Sequence, residues 1–102
     1  MSVFAVSKVR LDPTGTVTDV LWGVVDTKSN HWVSPEVVTT TREVLEAIDK
    51  GDQVVALFPA TGGYLPGRQF VAVGQAGGTQ SLALDGPADP AREIRDMDRL
   101  AP

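Results

Sequence analysis

Residues 39–59 read TTTREVLEAIDKGDQVVALFP and decide the fold, because a helix, its stop and an apolar strand follow one another without interruption. Thr40 with Glu43 three positions later has the form of a capping box, in which hydroxyl and carboxylate each satisfy a free backbone N–H. Val44, Leu45 and Ile48 recur at helical spacing, while Arg42, Glu46, Asp49 and Lys50 take the wet face. Lys50 complements the negative end of the helix dipole, and Gly51 supplies a left-handed closing residue. Residues 54–58, VVALF, then form an unbroken apolar run of strand length that Pro59 ends. Such a run predicts a strand in the middle of a sheet with both faces covered.

The helix start has two readings. Ser34-Pro35-Glu36 offers an N-cap, a proline at the first helical position and an acidic first turn. Against a start at Pro35 stand five successive β-branched residues, Val37 to Thr41, which fit a strand better than a helix. The sequence therefore places extended chain up to Thr39.

Upstream, Val3–Leu11 reads as a strand, Asp12-Pro13-Thr14-Gly15 as a turn and 16–26 as the partner strand of a hairpin. In that partner Val20, Trp22 and Val24 share one face and Val17, Leu21 and Val25 the other, with Gly23 a candidate bulge where the strand changes faces. Thr27-Lys28-Ser29-Asn30 is turn-forming, and His31-Trp32-Val33 resumes extended chain. Downstream, residues 60–68 read as a Gly-rich loop and the most mobile segment. Residues 69–74 and 79–85 make two further strands around a turn at Gln75-Ala76-Gly77-Gly78, the second with Leu82 and Leu84 inward. Asp89-Pro90 opens a short C-terminal helix or turn that directs Ile94, Met97 and Leu100 to the core. Together these elements predict a single α+β domain over 1–102. Its mainly antiparallel sheet would have five to six strands, with one main helix on one face.

A chain of 102 residues supports one hydrophobic core. Its net charge of −4, with no cluster of Lys and Arg, argues against nucleic acid or an anionic membrane as a partner. Without cysteine there is no disulfide framework, thiolate metal site or Cys nucleophile. No basic leader precedes the first apolar residues and no apolar run of about 18 residues occurs, so a cytoplasmic location is expected.

Val9-Arg10-Leu11 with Gly15, residues 44–51 ending in Gly, and Asp96 with Leu100 and Pro102 carry a resemblance. In this order of elements the chain resembles a family of short bacterial domains of unknown function. It departs from that pattern with Asp98-Arg99 before Leu100 and with a longer Gly-rich loop. The resemblance implies small size and a fold, and no chemistry.

Among residues that could act, His31 is the only histidine; with no second His and no Cys to help, it makes no metal site. The stretch Gly62-Gly63-Tyr64-Leu65-Pro66-Gly67-Arg68 could hold an anion through freed N–H groups and the Arg68 fork. It lacks the Lys-Ser/Thr ending and following helix of a phosphate loop, which makes a plain hairpin connection the simpler reading. The glycines 74, 77 and 78 fail as a dinucleotide fingerprint because a strand comes next. Asp19, Asp26 and Glu36 are scattered carboxylates, and Asp96-Met97-Asp98 lacks the rest of a calcium loop. Trp22 suits the core, while Trp32 is free to stack on a ligand. No catalytic constellation and no cofactor emerges. Two functions follow: a non-catalytic interaction or regulatory module, with a protein partner or self-association through an edge strand, and alternatively a small-ligand or anion-binding protein using loop 60–68. The second would place Tyr64, Arg68, His31 and Trp32 around one pocket.

Overall fold

The computed structural model describes residues 2–29, 31–74, 80–89 and 92–100. Strand β1 (Val3–Leu11) is the centre of the sheet, and β2 (Val17–Asp26) returns antiparallel along its length. The turn between them is pinned by one carboxylate: Asp12 accepts from the N–H of Thr14 at 2.9 Å, the Thr14 hydroxyl at 2.6 Å and the N–H of Thr16 at 3.0 Å. On the outer edge of β2 lie two short strands at different heights, β3 (His31–Trp32) and β4 (Val37–Thr40).

The chain stays extended through Thr40, and helix α1 runs Thr41–Asp49. Its start at Thr41 rather than Pro35 follows from the β-branched run, which pairs with β2 instead of coiling. The cap is made in part as expected. The Thr40 hydroxyl accepts from Glu43 N–H at 3.4 Å, but the Glu43 carboxylate takes the Thr39 hydroxyl instead of reaching back to the cap N–H. Lys50 caps the other end and Gly51 follows at φ 94°. Val44 and Ala47 are buried, with Leu45 and Ile48 packed beside them.

Strand β5 (Gln53–Ala60) then lies parallel to β1, from Val3 opposite Gln53 to Val6 opposite Ala56. A two-residue turn, Thr61-Gly62, leads into the twelve-residue strand β6 (Gly63–Gly74), antiparallel to β5 and then to β7 (Gln80–Leu84). After a 3₁₀ turn at Ile94–Asp96, β8 (Asp98–Arg99) pairs parallel with β1 at Lys8 and Val9. One edge of β1 is thus shared by β5 over its first half and β8 over its second.

This arrangement corrects the expected fold class. Among the described residues the molecule is sheet-dominated, with eight strands in one mixed sheet in the order β3-β2-β1-β5-β6-β7 plus β4 and β8, not five to six mainly antiparallel strands. Both parallel pairings are long-range, and no local pattern of residues announces them. Of the two readings of the C-terminal segment, a short helix or a turn, the described residues show the turn, a 3₁₀ turn followed by β8, with Met97 buried and Ile94 against the core. Pro90 and the turn at residues 75–78 lie outside the described residues.

The register explains two further differences. β1 carries an extra residue at Ser7, between Val6 opposite Trp22 and Lys8 opposite Leu21, and β2 carries one at Thr18, between Val17 and Asp19. The second bulge, not Gly23, turns Val17 to the same side as Val20 and Trp22, and all three are in the core. Gly23 sits in regular register opposite Ala5.

The core lies between the sheet and α1. Val6, Val9, Val20, Val44 and Val54 are the largest fully buried side chains, and Trp22 stacks on Phe4 with centroids 4.2 Å apart. Among the described residues no helix is long and apolar enough to cross a membrane.

Candidate functional site

Alternation along the central strands sends Val54, Ala56 and Phe58 of β5 into the core, which leaves Val55 and Leu57 on the opposite face. There they meet Val3 and Ala5 of β1 and Val25 of β2, and these five side chains form the floor of an open trough of about 620 Å³. The strand 53–60 is therefore not covered on both faces. Pro59 does not end it, since Pro59 lies opposite Tyr64 and pairing continues to Ala60.

The walls come from the two sides of the sheet. On one side β3 brings His31 and Trp32 beside Asp26; on the other, the start of β6 brings Tyr64, Leu65 and Pro66. Trp32 is 43% exposed, Tyr64 40% and Leu65 47%, a degree of exposure that places apolar rings and a leucine within reach of a ligand. Trp32 is steadied by its own chain: Val33 N–H donates to Val24 O at 2.8 Å, and Val24 N–H donates to the Ser34 hydroxyl at 2.9 Å. The indole lies against Gly23, where any side chain would collide with it. Gly23 thus serves close approach rather than a bulge.

The segment read as a mobile loop is mostly strand. Residues 63–68 belong to β6, and the two-versus-three step between Val55 opposite Gln69 and Leu57 opposite Pro66 is a bulge at Gly67-Arg68. Gly67 is there because the Phe58 ring occupies the space a Cβ would need.

The trough gathers His31, Trp32 and Tyr64, and it does not gather Arg68. The Arg68 guanidinium donates to the carbonyls of Asp85 at 3.3 Å, Gly86 at 3.2 Å and Arg92 at 3.3 Å, and pairs with the Glu93 carboxylate. Four acceptors hold it as a clamp on the segment after β7, so an anion site that combines Arg68 with Tyr64 is not formed.

Carboxylates mark both sides of the trough. Asp26, in the lining, accepts from Lys28 N–H at 2.9 Å; this bond, then the Ser29 hydroxyl, hold its carboxyl below the ordinary range. Tyr64 donates its hydroxyl to Asp98 at 2.8 Å, and that bond first, with burial and the charges of Asp98 and Glu36, raises its phenol above the ordinary value. Glu36 in turn accepts from the buried Ser7 hydroxyl at the β1 bulge. Asp96 accepts from Glu93 N–H, so Asp96 and Asp98 point to different partners and form no joint cation site. Among the described residues no three His, Asp or Glu come together to hold a metal ion.

Sequence reasoning misses the floor and the Tyr64–Asp98 tether. Val55 and Leu57 look like core in a continuous apolar run, and Asp98 approaches Tyr64 only through β8. No family model, curated protein or solved structure matches the chain.

Proposed function

We propose that the protein is a non-catalytic binding module that holds a small ligand with an apolar body in the trough on its helix-free face. The observation that carries this reading is the floor: five aliphatic side chains from three adjacent strands, four of them partly exposed and Ala5 buried, walled by Trp32, Tyr64 and Leu65. A trough of about 620 Å³ has the volume of a small-molecule site. Two of the polar groups around it also make structural hydrogen bonds, Asp26 with Lys28 N–H and the Tyr64 hydroxyl with Asp98.

The test is saturable binding of a neutral apolar fluorophore, N-phenyl-1-naphthylamine, to the native chain and to Leu65→Ser and Trp32→Ala. Both changes are at exposed wall positions and should keep the fold. Enhanced emission that saturates at one site and weakens in both variants supports the trough. Absence of binding, or equal binding by all three proteins, overturns it.

A second reading rests on a separate observation. β4 pairs with β2 on one side only among the described residues, and its Val37 and Val38 are each 54% exposed. An apolar edge of this kind invites pairing with the same strand of a second copy. Sedimentation of native chain and Val38→Lys tests it; a monomer at high concentration in both removes the self-association reading.

A further inference from the structure

We infer that the ligand of the trough is an organic cation, an ammonium group on an apolar body; the inference rests on the trough being the binding site. Among the described residues the lining contains no Lys or Arg, and its one acid, Asp26, stands beside β3 where Trp32 begins the aromatic wall. A ligand lying on the aliphatic floor therefore has a carboxylate and an indole at the same end. That combination attracts positive charge twice over, once by direct Coulomb attraction and once through the ring face.

The opposite wall repeats the pattern. Tyr64 donates its only proton to Asp98, and a phenol hydrogen-bonded to a carboxylate carries more electron density in its ring than a free one. Glu36 adds a second negative charge near the same phenol. Both aromatic walls are thus backed by acids, within a chain of net charge −4. An anion entering the trough would meet the Asp26 carboxylate in the lining, and the Arg68 guanidinium is spent on Glu93 and three carbonyls. A neutral molecule would use the floor and leave the acids unused.

Three probes that share a body and differ in charge decide the matter: 4-phenylbutyl-trimethylammonium, 4-phenylbutanol and 4-phenylbutyrate. Each is titrated at pH 8 and low salt into the isotope-labelled chain, following the indole N–H signals of Trp22 and Trp32. The expected order is ammonium, alcohol, carboxylate, with the ammonium about five- to tenfold tighter than the alcohol. Asp26→Asn, which keeps the acceptor for Lys28 N–H, should narrow the gap between the ammonium and the alcohol. If the three probes bind equally, or the carboxylate binds best, the cation inference is overturned while the trough reading stands. If Asp26→Asn keeps the full preference, the role given to Asp26 and the inference fall together. If none moves the Trp32 signal, the trough reading itself fails.

Discussion

Trp32 rests on Gly23: a Cβ placed on Gly23 would stand 3.0 Å from both Cε3 and Cζ3 of the indole and 3.2 Å from the Ser34 carbonyl oxygen. The wall of the trough is therefore set by the absence of one methyl group on its neighbour strand. Gly23→Ala should shift the indole by a few tenths of an ångström at a cost of about 1 kcal/mol. In a nitrogen–proton correlation spectrum the Trp32 indole signal should move and that of Trp22, stacked on Phe4, should stay. An unchanged Trp32 signal would refute the contact. Binding of the neutral fluorophore should weaken in the same variant.

Gly67 poses a harder steric problem. A Cβ there would lie 2.8 Å from Cδ2 of Phe58 and nearer still to Cε2, and Phe58 is buried in the core. Gly67→Ala should destabilise the fold by about 1–3 kcal/mol in denaturant unfolding. Gly74→Ala, where nothing lies within 4 Å, should change it by less than about 0.5 kcal/mol. Similar behaviour of the two variants would show that Phe58 yields at little cost.

The phenol of Tyr64 makes a pH prediction with a definite sign. Its neutral form donates to Asp98, and this bond, with burial and two nearby carboxylates, raises the folded pKa above the ordinary 10.0. The stabilisation is present below the unfolded pKa and is lost as pH rises through the raised folded value. Because Tyr64 is the only tyrosine, ultraviolet absorbance of tyrosinate reports it alone. The midpoint should lie above 10.0 in the native chain and drop in Asp98→Asn. A midpoint unmoved by that substitution would mean that Asp98 is not the cause.

Arg68 tests the difference between a site residue and a strut. Arg68→Met should leave probe binding intact and lower stability by about 1–2 kcal/mol, less than a fully buried pair because both partners keep some solvent contact. Limited proteolysis should then cut between residues 85 and 93, the segment whose carbonyls the guanidinium holds. Arg68→Lys should not restore protection, since an ammonium cannot serve the same spread of acceptors. Loss of probe binding with the segment still protected would return Arg68 to the site.

Local chemistry is legible in this sequence, and long-range pairing is not. Thr40 and Gly51 bound the helix because a cap and a left-handed closure are decided within a few residues. Alternation around Val54, Ala56 and Phe58 was hidden by Val55 and Leu57, whose apolar character suits a trough floor as well as a core. Bulges at Ser7 and Thr18 carry no signature, while Gly23 and Gly67, which look like punctuation, are there to admit Trp32 and Phe58. His31, Trp32 and Tyr64 stand out by residue type and meet in space; Arg68 stands out equally and turns away. One extra residue in β6 is enough to redirect a side chain.

The two parallel neighbours of β1 bear on how the chain reaches this state. Lys8 pairs with Asp98 and Val6 with Ala56, so the central strand is completed only when residues far apart in sequence are brought to it. Closing such large loops costs entropy before any contact rewards it, which places the domain among slow, topologically complex folders on the millisecond-to-second scale. Until β5 and β8 add, the β1–β2 hairpin leaves one edge of β1 bare. A bare strand edge is open to misassociation, and two residues, Asp98 and Arg99, cover its second half beside Lys8 and Val9.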